Sequence, residues 1–90
     1  MQQEIKLNKF KIHFGNLLKR IREQNKTYSR SHFAREYDID RGNLSKIENG
    51  KICCSVITLW KICEALGIKF SDFAKLLEDE LGEDFTLIDE

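Results

Sequence analysis

The residues predict an all-α fold of five short helices, and three observations carry that expectation. Apolar side chains recur at three- and four-residue spacing in five separate blocks. The chain has no proline to break a helix interior. Nothing alternates at period two, the signature of a strand, before Phe85-Thr86-Leu87-Ile88. Ninety residues suffice for one hydrophobic core and not for two.

Each helix has its own justification. Phe10, Phe14, Leu17, Leu18 and Ile21 follow helical spacing and predict helix 1 at about 9–24, ended by polar Gln24-Asn25-Lys26-Thr27. Ser29 can cap a short helix 2 carrying Phe33, Ala34 and Tyr37 on one side. Asp38-Ile39 then leads into helix 3, for which Asp40 is the expected cap. Ile39 precedes that cap and Leu44 is the fourth helical residue, the hydrophobic staple that fixes the angle of chain entry. Asn49-Gly50 ends helix 3 in a left-handed conformation. Ser55 starts helix 4, with Val56, Leu59, Trp60, Cys63 and Leu66 as its apolar side, and Gly67 stops it. Ser71 starts helix 5, with Phe73, Leu76 and Leu77. Residues 1–8 are polar and read as a flexible N-terminal arm, 9–80 as the folded domain, and 81–90 as an acidic tail that could act as a dimerisation arm. Phe85-Thr86-Leu87-Ile88 could be a strand, a frayed helix or disordered.

Composition restricts the function classes. No apolar run approaches the length of a membrane span and no leader resembles a signal peptide, so the expected location is the cytoplasm. Cys53, Cys54 and Cys63, with His13 and His32, lack zinc-ligand spacing, so no metal is expected. The odd cysteine count argues against a disulfide framework. The histidines have no carboxylate or cysteine partner in a nucleophile-like arrangement by spacing. No catalytic constellation, phosphate-cradling loop or cofactor motif is present, so neither enzyme activity nor a cofactor is expected.

A formal charge of zero conceals an asymmetry. Residues 1–61 hold 13 Lys/Arg against 6 Asp/Glu, giving +7, and residues 62–90 hold 2 against 9, giving −7. A basic body with an acidic end suggests one face for a polyanion and another kept away from it; plain solubility is the blander explanation.

The stretch Arg41-Gly42-Asn43 stands out within this frame. Glycine inside a helix costs roughly 1 kcal/mol relative to alanine, yet it lies here between two long hydrogen-bonding residues in the first turn of helix 3. Helices 2 and 3, joined by a tight link, match the helix-turn-helix motif, whose second helix enters the major groove of DNA. From roughly Phe14 to Leu77 the chain resembles the Cro/C1-type (XRE-like) helix-turn-helix domain of phage repressors and bacterial regulators. The likeness is carried by SRSHFAREYDIDRGNLSKIENGK followed by TLWKICEALGI.

That resemblance implies a lambda-repressor-like five-helix domain with Arg41, Gly42 and Asn43 at the groove-facing start of the recognition helix. Arginine can donate twice to guanine O6 and N7, and asparagine matches adenine N6 and N7. Gly42, without a side chain, lets the backbone approach closely. Arg30 occupies the place of the family's usual glutamine; it should keep a phosphate contact and give up bracing a recognition-helix side chain. Ser29, Lys46, Asn49 and Lys51 are further candidate backbone ligands. Glu48 is expected to pair with Arg22, tying helix 1 to helix 3. Two departures are a link between helices 1 and 2 that is one residue longer than usual, and Cys54 where proline is common. The implied function is a sequence-specific, repressor-like transcriptional regulator on double-stranded DNA. One such helix reads few base pairs, which implies a homodimer on a pseudo-palindrome with half-sites about 34 Å apart. Phe70, Phe73, Leu76 and Leu77 could form the dimer contacts, or helix 5 could merely close the monomer core. The competing reading is a protein-binding helix-turn-helix module, such as an antitoxin or the partner of a regulatory protein.

Overall fold

A computed structural model describes residues 2–25 and 29–88. It contains five helices in the order α1 (Gln2–Asn25), α2 (Arg30–Glu36), α3 (Arg41–Glu48), α4 (Val56–Leu66) and α5 (Phe70–Leu81). The caps that open the middle three are side-chain oxygens. Ser29 accepts from the His32 amide, Asp40 from Asn43 and Ser55 from Thr58, each pairing one of the amides that a helix start leaves open. Gly67, with φ 75°, closes α4 in the left-handed region.

Several boundaries differ from the expectation. Helix α1 begins at Gln2, not near residue 9, so residues 2–8 form two extra helical turns rather than a loose arm. Contacts with the far end of the chain explain the extension. After Gly82 the chain turns back and Phe85 lies against Phe10, with ring centroids 6.3 Å apart. Lys9 sits over the Phe85 ring, and Lys6 Nζ donates to Thr86 Oγ1 at 3.3 Å. Residues 85–88 are therefore neither strand nor helix but a bent segment laid on α1. Helix α5 starts at Phe70, with Lys69 as a cap that makes no side-chain bond, so Ser71 lies inside the first turn. The link Lys26-Thr27-Tyr28, Met1 and the final Asp89-Glu90 lie outside the described residues.

Helix α1 is the central rod, packing on α3, α4 and α5. Its inner face supplies Phe14, Leu17, Leu18 and Ile21 to a core shared with Phe33, Leu44, Ile47, Ile62 and Phe73. The crossing of α1 over the end of α3 depends on Gly15. A β-carbon there would collide with the carbonyl oxygens of Ile47 and Glu48, so backbone meets backbone at that point. On α4 the buried side is Ile62, Cys63, Ala65 and Leu66. Val56 and Trp60, expected to face inward, instead stand 66% and 53% exposed. A helix of 3.6 residues per turn that turns positions 62 and 66 inward swings positions 57 and 60 outward, while Val56, nearly in line with the buried Cys63, stands exposed as the first residue of the helix. Of the four expected dimer contacts, Phe73 and Leu77 are buried in the monomer core and Phe70 is half-buried, leaving Leu76 exposed.

Candidate nucleic-acid interface

The turn between α2 and α3 has two fixed features. Asp38 adopts φ 54°, a left-handed conformation that aspartate tolerates better than most residues, and the Ile39 amide donates to the Ala34 carbonyl at 2.7 Å. Ile39 and the buried Leu44 then anchor the start of α3 on the core. With Leu44, Ile47 and Glu48 all buried, the rest of the helix must face outward. Arg41, Gly42, Asn43 and Lys46 are exposed. The exposed side thus carries two cations, a carboxamide and a bare stretch of backbone.

Beneath α3 lies a charged cluster. Arg22 donates to Glu48 through Nε at 2.7 Å and Nη2 at 3.0 Å, a two-pronged pair between side chains that are almost fully buried. The hydrogen bonds to Glu48 raise the Arg22 guanidinium above its usual range, outweighing burial. Arg30 adds a third bond to the same carboxylate, Nε to Oε1 at 2.9 Å, and Nη1 donates to Ser45 Oγ at 2.9 Å. One carboxylate therefore joins α1, α2 and α3. Two guanidiniums on one carboxylate leave a surplus positive charge, and Arg30 is the partner that reaches the surface, its side chain 28% exposed.

Arg30 thus braces α3, contrary to the expectation that an arginine at that position would give up that role. Its guanidinium reaches both Ser45 and Glu48, which the amide of a glutamine could not do with the same charge. A second brace comes from Ser31, whose hydroxyl accepts from Arg41 Nη1 at 3.2 Å. Ser31 and Ser45 are the residues missed by sequence reasoning; short hydroxyl side chains on facing helices carry no signal until the helices are placed. Gly42 also has a reason internal to α3: a β-carbon there would sit 3.3 Å from Asp40 Oδ1, the oxygen that accepts the capping bond from Asn43.

The candidate backbone ligands are arranged around this edge. Ser29, Lys46, Asn49 and Lys51 are all exposed. The Ser29 hydroxyl is already engaged as the α2 cap, and Asn49 Nδ2 donates to Ser45 Oγ at 3.4 Å. The Lys51 amide bonds to the Lys46 carbonyl at 2.9 Å, holding the loop after α3 close to the helix. Both histidines do face carboxylates: His32 Nε2 lies 3.1 Å from Glu36, and His13 Nδ1 lies 3.5 Å from Glu80. The first is an exposed pair within one helix and the second links α1 to α5, so both sit in structural settings.

The helix-turn-helix family matches residues 18–73, more than half of the chain. The chain belongs to that family, and with it to the DNA-binding regulators of transcription that share the Cro/C1-type arrangement. Among curated proteins it is similar to "Control protein C.MunI" of a Mycoplasma species, with 42% identity over 74 residues that cover 82% of this chain and 100% of the relative.

Proposed function

We propose that this protein is a sequence-specific, repressor-like regulator that binds double-stranded DNA as a homodimer on a pseudo-palindromic site, with α3 in the major groove. The observation that carries the reading is the division of α3. One side is locked into the interior by Leu44, Ile47 and the Arg22–Glu48–Arg30 cluster, while the other presents Arg41, Gly42 and Asn43 to solvent. Arg41 and Asn43 read base edges, and the absent side chain of Gly42 admits the backbone to the groove. Arg30, Lys46 and Lys51 neutralise phosphates, and Ser29 and Asn49 add polar contacts to the same backbone. The name of the Mycoplasma relative, a control protein, fits a regulatory rather than a catalytic role. Among the described residues no helix is long and apolar enough to cross a membrane, and the reading carries a cytoplasmic location with it.

The test is selection of bound duplexes from a random pool, followed by titration of the winner at several salt concentrations. A symmetric motif, and an affinity that falls steeply as salt rises, are expected because each neutralised phosphate releases a counterion. A protein-binding module would enrich no motif and bind duplex weakly at any salt; that outcome rejects the proposal.

A further inference from the structure

Arg41 is joined to the neighbouring helix as well as to its own. Its Nη1 donates to Ser31 Oγ in the first turn of α2 at 3.2 Å, and among the described residues that hydroxyl is the partner of its guanidinium. The two helices are fixed against each other. Arg30 of α2 donates to Glu48 and Ser45 of α3 at 2.9 Å each, and Phe33 and Leu44 are buried in one core. The Arg41 side chain is therefore tethered at both ends, through its Cα on α3 and its Nη1 on α2. Arg30, next to Ser31 in the chain, turns its Nε and Nη1 inward and leaves the hydroxyl to Arg41. An untethered arginine samples many rotamers and must be ordered at the moment it binds.

We infer that Ser31 is a specificity-determining positioning residue: it holds the Arg41 guanidinium so that it selects guanine at one base pair. The guanidinium is planar, with its N–H donors along fixed edges. Nη1 faces Ser31, which leaves the edge formed by Nε and Nη2 free for a pair of acceptors. In the major groove guanine alone sets two acceptors side by side, O6 and N7. Adenine has a donor beside its N7, and thymine has a methyl group beside its O4. A fork held in place therefore finds both acceptors only at guanine. A fork free to swing can settle on a single acceptor of another base or on a phosphate, and contacts to phosphate carry no sequence information. The tether also orders the side chain before DNA arrives, which lowers the cost of binding in the productive geometry. Ser31 need touch no base itself; it acts through Arg41.

The inference rests on the reading of α3 as a base-reading helix, so one arm of its test uses no DNA. In the free full-length chain the Nε–H signal of Arg41 is identified by nuclear magnetic resonance through its loss in Arg41→Lys. Its exchange with water is expected to be slower in wild type than in Ser31→Ala. The second arm measures affinity for the selected duplex and for versions changed at the base pair whose preference Arg41→Ala abolishes. Ser31→Ala is expected to lower the guanine preference there by about three- to tenfold, with the salt slope and the thermal melt unchanged. Ser31→Thr, which restores the hydroxyl, should recover the preference. Adding Ser31→Ala to Arg41→Ala should change nothing further, since residues that act through one another are not additive. Exchange that Ser31→Ala leaves unaltered would overturn the inference. So would a guanine preference that survives in Ser31→Ala, or a further loss in the Arg41→Ala background. A signal that responds to Ser31→Ala while wild type prefers no base would also overturn it, with the fault then in the reading of α3 and not in the tether.

Discussion

A methyl group at Gly42 would press on the oxygen that caps α3, so this glycine serves the helix as well as the groove. Replacing it by alanine should gain about 1 kcal/mol of helix propensity and lose a similar amount through the disturbed cap. Thermal unfolding of Gly42→Ala is therefore expected close to wild type, while its affinity for selected duplex drops because the new methyl group holds the backbone away. A raised melting temperature with unchanged affinity would mean that the position has neither role. Cys63 offers a different test. Burial, reinforced by Cys54, pushes its thiol up to about 11, whereas an exposed thiol loses its proton near 8.5. The folded state thus prefers the neutral thiol, and its contribution is complete below the unfolded pKa. As pH rises from about 9 towards 11, the unfolded chain is favoured by up to about 1.4 kcal/mol per pH unit. Denaturant midpoints measured across that window should fall less for Cys63→Ala than for wild type; parallel curves would contradict this account.

At the scale of the elements, the junction of α1, α2 and α3 decides whether α3 stands at a fixed angle. Gly15→Ala forces a β-carbon into the Ile47 and Glu48 carbonyls, which are backbone and cannot swing aside. A loss of about 1–3 kcal/mol is expected, as for an overpacked core, and urea unfolding will show it. Glu48→Ala is expected to be worse, about 3–5 kcal/mol, because it leaves the buried Arg22 guanidinium without a partner. A variant as stable as wild type would show that the cluster does not hold the helices. The middle helices were legible from sequence because Ser29, Asp40 and Ser55 cap them locally. The start of α1 was not, since residues 2–8 are held by Phe85 and Thr86 almost a chain length away. Periodicity could name the apolar residues of α4 but not fix its rotation, which the packing of Ile62 and Leu66 on α1 and α5 sets. For the same reason Phe73 and Leu77 read equally well as a dimer patch and as core.

Across the whole molecule the charge division has a spatial counterpart. In the acidic segment from Glu78 to Asp84, Glu80 pairs with Arg20 and His13 of α1, while Arg30, Arg41, Lys46 and Lys51 gather around α3. Arg41 and Asn43 could be placed at an exposed helix start from sequence alone, because the cap and the staple lie next to them. Their supports could not, because Ser31 and Arg30 act across the helix-turn-helix. The central claim is that this exposed start reads base identity, and Asn43→Ala tests it most directly. No charge changes, the backbone cap is kept, and among the described residues nothing engages the Asn43 carboxamide. Wild type and variant are titrated onto the selected duplex and onto a scrambled one at a single salt concentration. The account predicts a loss of about 1–3 kcal/mol on the selected duplex, with binding to the scrambled one nearly unchanged. An equal loss on both, or none on either, would contradict it.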